Sequence, residues 1–209
     1  MKLYYTPGAC SLFPHIIIRE LELSAELVRV DLKKRVLEDG ADYRTINPFG
    51  YVPALELDNG TVLLEGPAIA QYLADQKPEK GVAPSNGTLE RYQLQQWLNF
   101  LATEVHKGFS PLFHAQVAGK YAEIASQKLR ARFEWIDEQL AKRSYLMGDS
   151  FTAADAYLFV MTGWCSASWI TTYFNTGFDL NGLPHLEAWY GRMRERAAVQ
   201  QALQEEGLA

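Results

Sequence analysis

Residues 2–30 read KLYYTPGACSLFPHIIIRELELSAELVRV, and this stretch decides the fold. Leu3-Tyr4-Tyr5 is a run of strand-favouring residues, closed by the turn formers Pro7 and Gly8. From Ser11 to Leu21 the apolar residues Leu12, Ile16, Ile17 and Leu21 recur at helical spacing. Pro14 falls in the first turn of that helix, where its missing N–H has no intrahelical partner to lose. Leu27-Val28-Arg29-Val30 then supplies a second strand. Strand, helix and strand in this order make a βαβ unit, and a crossover of this kind brings its two strands together in parallel.

Working outward, the spacing predicts a short helix over Leu37 to Tyr43, ending before Asn47-Pro48. Ala54-Leu55-Glu56-Leu57 and Thr61-Val62-Leu63-Leu64 flank Asp58-Asn59-Gly60, and Asn-Gly between two apolar runs is a strong hairpin signal. A helix from Pro67 to Asp75 follows, with Ile69, Tyr72 and Leu73 on one face. The predicted order is βαβαββα, a small mixed sheet with helices on its faces. Residues 76–87 are rich in Lys, Pro, Gly, Ser and Asn and read as a linker. The expected domains are therefore 1–77 and 88–209.

The second domain reads as all-α. Leu94, Trp97, Leu98, Leu101 and Val105 form an apolar stripe. Tyr121 to Leu140 is a long helix with Ile124, Leu129, Phe133, Ile136 and Leu140 on its expected buried side. Thr152-Ala153-Ala154-Asp155 is an Asp-bearing relative of the capping box and announces a buried helix, and Pro184-His185-Leu186 opens the last helical stretch.

Composition narrows the function classes. The 209 residues carry 20 Lys+Arg against 25 Asp+Glu, a net charge of −5. The clearest basic cluster, Lys33-Lys34-Arg35, is short and followed by Glu38 and Asp39, so nucleic acid is not an expected partner. No run approaches the roughly 18–20 apolar residues of a membrane span, and Pro7 and Gly8 interrupt any secretory leader. Two distant cysteines, Cys10 and Cys165, suggest neither a disulfide framework nor a metal site. The cytoplasm is the expected compartment.

Cys10 follows a strand and a turn and precedes a helix, where exposed N–H groups and the positive end of the dipole favour a thiolate. A small buried residue is the other reading of a lone cysteine. A dithiol motif would need a cysteine at position 13, and Phe13 stands there. Cys165 lies in an apolar helical stretch and reads as core. Glu65-Gly66-Pro67 is a strand-to-helix junction that offers N–H groups to a carboxylate and an acid to an ammonium group, or is simply a capped helix. Asn99, Thr103 and His106 fall within about 60° of one another at 3.6 residues per turn, opposite the apolar stripe, as either a binding wall or a solvated face. His15, His114 and His185 have no comparable polar neighbours in the sequence.

Taken together, these stretches resemble a cytosolic glutathione transferase of the bacterial beta class. The resemblance is carried by Lys2 to Ser11, by Asn47-Pro48 with Val52-Pro53-Ala54-Leu55, and by Glu65-Gly66-Pro67-Ala68-Ile69. In the second half it is carried by Trp97-Leu98-Asn99, by Thr103 to Phe109 and by Phe151 to Tyr157. It implies an α/β thioredoxin-like N-terminal domain, an all-α C-terminal domain and a homodimer. It implies a cis Pro53, with Val52 pairing with the cysteinyl backbone of glutathione, the γ-glutamyl end at Glu65 and Gly66, and Tyr5 and Arg35 as further contacts. Cys10 and His106 become the catalytic residues, and Asn99, Thr103 and Glu104 join the glutathione site. Phe109, Leu112, Phe113 and Trp164 become the wall for a small hydrophobic electrophile. Glutathione is a co-substrate, and neither a cofactor nor a metal is expected. The chain departs from the family where Gly66 replaces a usual Ser, Arg35 a usual Lys, and Tyr51 a smaller polar residue.

The implied reaction is attack of the glutathione sulfur on an electrophilic carbon to give a thioether. Two rivals are a glutathione-dependent disulfide reductase or peroxidase using Cys10, and a non-catalytic carrier of hydrophobic ligands.

Overall fold

The computed structural model describes residues 1–165 and 179–209. The chain forms two compact units, Met1–Asn86 with Glu195–Ala209, and Gly87–Arg194.

The first unit contains β1 (Lys2–Tyr5), α1 (Leu12–Glu20), β2 (Glu26–Asp31), β3 (Val36–Leu37), β4 (Ala54–Glu56), β5 (Val62–Leu64) and α2 (Gly66–Gln76). The sheet order is β3-β2-β1-β4-β5. β1 runs parallel to β2 with Leu3 opposite Leu27, and antiparallel to β4 with Leu3 opposite Leu55. Because strand side chains alternate, Leu3 and Tyr4 serve opposite faces. Leu3 is fully buried, as are Ile16 and Ile17 of α1 and Ile69 and Leu73 of α2. Tyr4 joins Val30, Tyr43, Val52 and Ala54 in a second cluster. The hairpin forms at Asn59-Gly60, where Gly60 takes φ 81° and the Leu57 N–H donates to the Thr61 carbonyl at 2.8 Å.

The helix predicted over Leu37 to Tyr43 is absent. Val36 and Leu37 instead pair with Asp31 and Val30 as β3, and a single 3₁₀ turn follows at Tyr43–Thr45. Local hydrogen bonding outweighs the apolar spacing here. Asp39 accepts from the Ala41 N–H, Asp42 accepts from the Arg44 N–H, and Gly40 takes φ 87°.

The second unit begins with α3 (Leu89–Phe100), whose N-cap Thr88 accepts from the Arg91 N–H at 3.2 Å. A π-helical turn continues it over Leu101–His106, followed by a 3₁₀ turn at Lys107–Phe109. Then come α4 (Ser110–Phe113), α5 (Ala115–Ala118), α6 (Lys120–Leu140), α7 (Ala153–Trp164) and α8 (Pro184–Arg194). Leu94, Trp97, Leu98, Leu101 and Val105 are buried, as their spacing predicts. On α6 the buried side is Ala122, Ala125, Leu129, Phe133, Ile136 and Leu140, whereas Ile124 is half exposed and lies off the stripe. Asp155 is fully buried at the start of α7. It accepts from the Leu146 and Thr152 N–H groups, the Thr152 hydroxyl and the Trp189 indole. None of the helices among the described residues is long and apolar enough to cross a membrane.

After α8 the chain returns to the first unit. α9 (Ala197–Glu205) packs on α1, so Glu195–Ala209 groups with residues 1–86 although 88–209 was the expected helical domain. The attachment is polar as well as apolar. Arg196 holds Glu20 at 2.6 and 2.9 Å, and Arg19 holds Glu205 at 2.7 Å.

Candidate functional site

In the first unit the turn after β1 carries Cys10. Thr6 anchors its start by donating its hydroxyl to the Val30 carbonyl at 2.7 Å, and the Thr6 N–H donates to Ser11 Oγ at 3.1 Å. Gly8 takes φ 71°, a conformation that favours glycine. Cys10 is partly exposed, and its Sγ donates to the Val52 carbonyl at 3.1 Å. No disulfide joins Cys10 to Cys165. The helix that follows offers less to an anion than its sequence promised. The Leu12 and Phe13 N–H groups already bond the Ala9 and Cys10 carbonyls, so neither is offered to an anion.

The Val52–Pro53 peptide bond is cis, as expected. The loop before it is held from inside: the Tyr43 hydroxyl and the Asn47 amide both donate to the Tyr51 carbonyl, at 2.9 and 2.7 Å. Tyr51 itself is exposed and stacks on Phe49. Arg35 has a positive φ of 58°, and its stem lies over Gly50, where an added Cβ would meet Arg35 Cδ at 2.8 Å. Its guanidinium makes no ion pair with the described residues, so a cation stands beside the Val52 loop. Tyr5 is half-buried next to His15, and burial together with the nearby Glu206 raises its hydroxyl pKa.

Glu65 and Gly66 begin α2. Glu65 is exposed at φ 65°, and its carbonyl accepts from the Ala68 and Ile69 N–H groups at 3.0 Å. A non-glycine residue in this region costs about 1–3 kcal/mol and is often found at functional sites. Gly66 is buried against Phe13, and an added Cβ would run into the ring at Cε1 and Cζ. Phe13 thus accounts for the missing side chain, since any residue larger than glycine overlaps its ring. Position 66 contributes backbone alone.

In the second unit the expected polar face divides. Asn99 and Thr103 are exposed, and the Thr103 hydroxyl donates to the Asn99 carbonyl at 3.0 Å. Glu104 points to α6, where Arg132 donates to it at 2.7 and 3.0 Å. His106 goes elsewhere. The π turn, marked by the Lys107 N–H donating to the Ala102 carbonyl five residues back, rotates each residue less than the roughly 100° of an α-helix. His106 therefore leaves the Asn99–Thr103 face and meets α7. Its Nδ1 lies 2.6 Å from the Tyr157 hydroxyl, and its ring stands edge-on to Trp164 at 5.0 Å. Burial, reinforced by the Lys107 charge, pushes its pKa down to about 4. His106 is a neutral imidazole at pH 7, with Nε2 unbonded to any described residue.

Phe109, Leu112, Phe113 and Trp164 do gather, with Phe109 at 5.4 Å and Phe113 at 5.6 Å from Trp164. Full burial nevertheless makes Phe109 and Leu112 core residues rather than a ligand-facing wall, and Trp164 is 5% exposed. Phe113 alone of the four is half-exposed. Cys165, expected in the core, is half-buried, and desolvation pushes its thiol far up.

Two participants escape sequence reasoning. Tyr157, which engages His106, lies 51 residues from it within an apolar run. His15, which has no polar neighbour in sequence, is fully buried between Glu205 at 2.7 Å and Glu206 at 2.9 Å, some 190 residues away. No local signal announces either. Among the described residues no group of three His, Cys, Asp or Glu side chains is placed to hold a metal ion.

A βαβ unit closed by a β-hairpin and helix, with a thiol beside a cis-proline loop, defines a thioredoxin-like domain, and a helical domain follows it. Residues 9–76 match the family described as glutathione S-transferase, N-terminal domain, and residues 95–192 match glutathione S-transferase, C-terminal domain. The chain is 45% identical over 208 residues, with full coverage of both sequences, to glutathione S-transferase GstA of Escherichia coli O157:H7. Among solved structures it is similar to BphK, described as a bacterial glutathione S-transferase in a ternary complex, with 50% identity, a TM-score of 0.93 and full coverage of both chains. It is likewise similar to the bacterial beta-class glutathione S-transferase of Sphingomonas chungbukensis, with 44% identity, a TM-score of 0.90 and full coverage of both chains. The chain belongs to the glutathione S-transferase family.

Proposed function

We propose that the first unit binds glutathione as an extended tripeptide and that the enzyme joins its sulfur to small hydrophobic electrophiles. The observation that carries this reading is the 3.1 Å contact between Cys10 Sγ and the Val52 carbonyl. Val52 precedes the proline that leads into β4, outside the paired residues of that strand, and backbone left outside a ladder can pair with an extended peptide as a strand does. A thiol next to that backbone sits where the cysteinyl sulfur of such a peptide arrives. The γ-glutamyl end is assigned to Glu65 and the Gly66 backbone, an ammonium to the carboxylate and a carboxylate to the N–H. Arg35, without an ion pair among the described residues, is assigned to the glycyl carboxylate, and Tyr5 to the neighbourhood of the sulfur.

The chemistry is nucleophilic attack by the glutathione sulfur, which is only a few per cent thiolate when free at neutral pH. The α1 dipole favours the anion. His106, neutral at pH 7, acts as a hydrogen-bond donor or acceptor through Nε2 rather than as a cation. Within the second unit, Phe113 is the portion of the aromatic cluster available to an electrophile. A homodimer and a cytoplasmic setting belong to the same proposal.

Cys10 has a second use. Partial exposure beside a peptide-binding loop, with Phe13 where a resolving cysteine would stand, suits a mixed disulfide with glutathione. Glutathione-dependent thioether formation with a chloronitroaromatic, against a no-enzyme control, tests the main reading. A saturable rate above background is expected, and Cys10→Ala should retain more of it than of glutathione-mixed-disulfide reductase activity. Glutathione binding with no thioether rate would move the assignment to disulfide or peroxide chemistry at Cys10.

A further inference from the structure

One buried polar cluster is unused by the reaction just described. Glu206, immediately after α9, has a fully buried side chain. One carboxylate oxygen lies 2.9 Å from His15 Nδ1, and the other accepts from the Gly8 N–H at 2.9 Å. Glu205 lies 2.7 Å from His15 Nε2 and is itself held by Arg19 at 2.7 Å. A buried carboxylate is costly unless every lone pair finds a donor, and these donors come from α1 and from the turn that carries Cys10.

We propose that Glu206 is a positioning residue for the glutathione site, holding the Thr6–Ser11 turn, and with it Cys10, through the Gly8 N–H. The argument is one of constraint. The turn is fixed at its start by Thr6 on Val30 and across its base by Ser11 on Thr6. Between these anchors Gly8, the residue of greatest backbone freedom, sits two positions before the thiol at φ 71°. The Glu206 carboxylate fixes that point. Its other oxygen is oriented by His15, whose own ring is clamped by Glu205 and flanked by Tyr5 at 6.2 Å. The packing of α9 on α1 thus brings a carboxylate from the end of the chain to the turn that carries Cys10.

The inference rests on the reading of Cys10 as part of the glutathione site, and its test does not need glutathione. In a Cys165→Ala background, the pH dependence of Cys10 alkylation by iodoacetamide is compared for the parent, Glu206→Asp and Glu206→Gln. Each is checked for a folded baseline by thermal melt at the assay temperature. Asp keeps the charge but withdraws the carboxylate from Gly8, whereas Gln loses the charge and keeps an oxygen within reach of the N–H. Glu206→Asp should release the Cys10–Val52 contact and speed alkylation at pH 7 by about threefold or more, with Glu206→Gln within about 1.5-fold of the parent. Equal rates in all three proteins, or a larger change in Gln than in Asp, would overturn the proposal. Absence of any transferase rate in the parent would instead remove the functional reading and leave the alkylation result standing.

Discussion

The two units build their polar sites by opposite means. In the first, backbone groups stand among those assigned to the peptide ligand, the Val52 backbone and the α2 N-terminus at Gly66, beside a turn whose Gly8 amide is held by Glu206. In the second, the corresponding group is a side chain, His106, set by an aromatic cage and one tyrosine hydroxyl. Backbone donors carry no titrating proton, and their placement depends on turns and close approach. A side chain in an aromatic cage is placed by packing, and burial selects its charge state. The first site should therefore be sensitive to small added volumes and the second to lost hydrogen bonds and to pH.

The largest effect expected from this contrast lies in the second unit. Asp155→Ala would strand the Leu146 and Thr152 N–H groups and the Trp189 indole, all now bonded to one buried carboxylate. A loss of about 3 kcal/mol or more is expected in urea unfolding. A loss below about 1 kcal/mol would show that the buried polar groups there rearrange as freely as surface ones. Next in size is a volume change in the first unit. Gly66→Ala drives a methyl into the Phe13 ring and should cost about 1–3 kcal/mol with a raised KM for glutathione. Phe13→Leu in the same chain should recover part of that KM, and the absence of any coupling in the double-mutant cycle would break the assignment of Gly66 to close approach.

The smallest effect concerns charge. With its pKa held near 4, well below the ordinary histidine value, folded His106 binds its proton more weakly than the unfolded chain does. Its contribution to stability is fully present above about pH 6.5 and is lost as pH falls toward 4. His106→Asn should lower kcat about tenfold without altering the shape of the pH–rate profile above about pH 5.5. A profile whose limb near pH 6–7 disappears in the variant would mean that His106 works as a cation.

The contrast also explains what could be read from residues alone. Strands, hairpin and βαβ order in the first unit are written in short-range signals, Pro7-Gly8, Asn59-Gly60 and the Leu12–Leu21 spacing, and these match the fold. The failure there, a helix expected over 37–43, came where Asp39, Gly40 and Asp42 redirect the backbone through their own hydrogen bonds. In the second unit the face shared by Asn99, Thr103 and His106 rested on an α-helical period, and one π turn was enough to turn His106 toward Tyr157 and Trp164. The burial of Phe109 and Leu112 was equally beyond sequence, because an apolar residue has the same local signature whether it lines a cleft or fills a core.

By itself the sequence determined the secondary structure of the first eighty residues outside the 36–45 segment, the division into a mixed α/β and a helical part, and the family, since each depends on local propensity, period and turn chemistry. Tertiary structure alone decided which groups meet. Glu206 reaches Gly8 across 198 positions and His106 reaches Tyr157 across 51. Contacts at such separations are fixed by how whole elements pack, a global balance of burial and chain entropy that no local pattern of residues records.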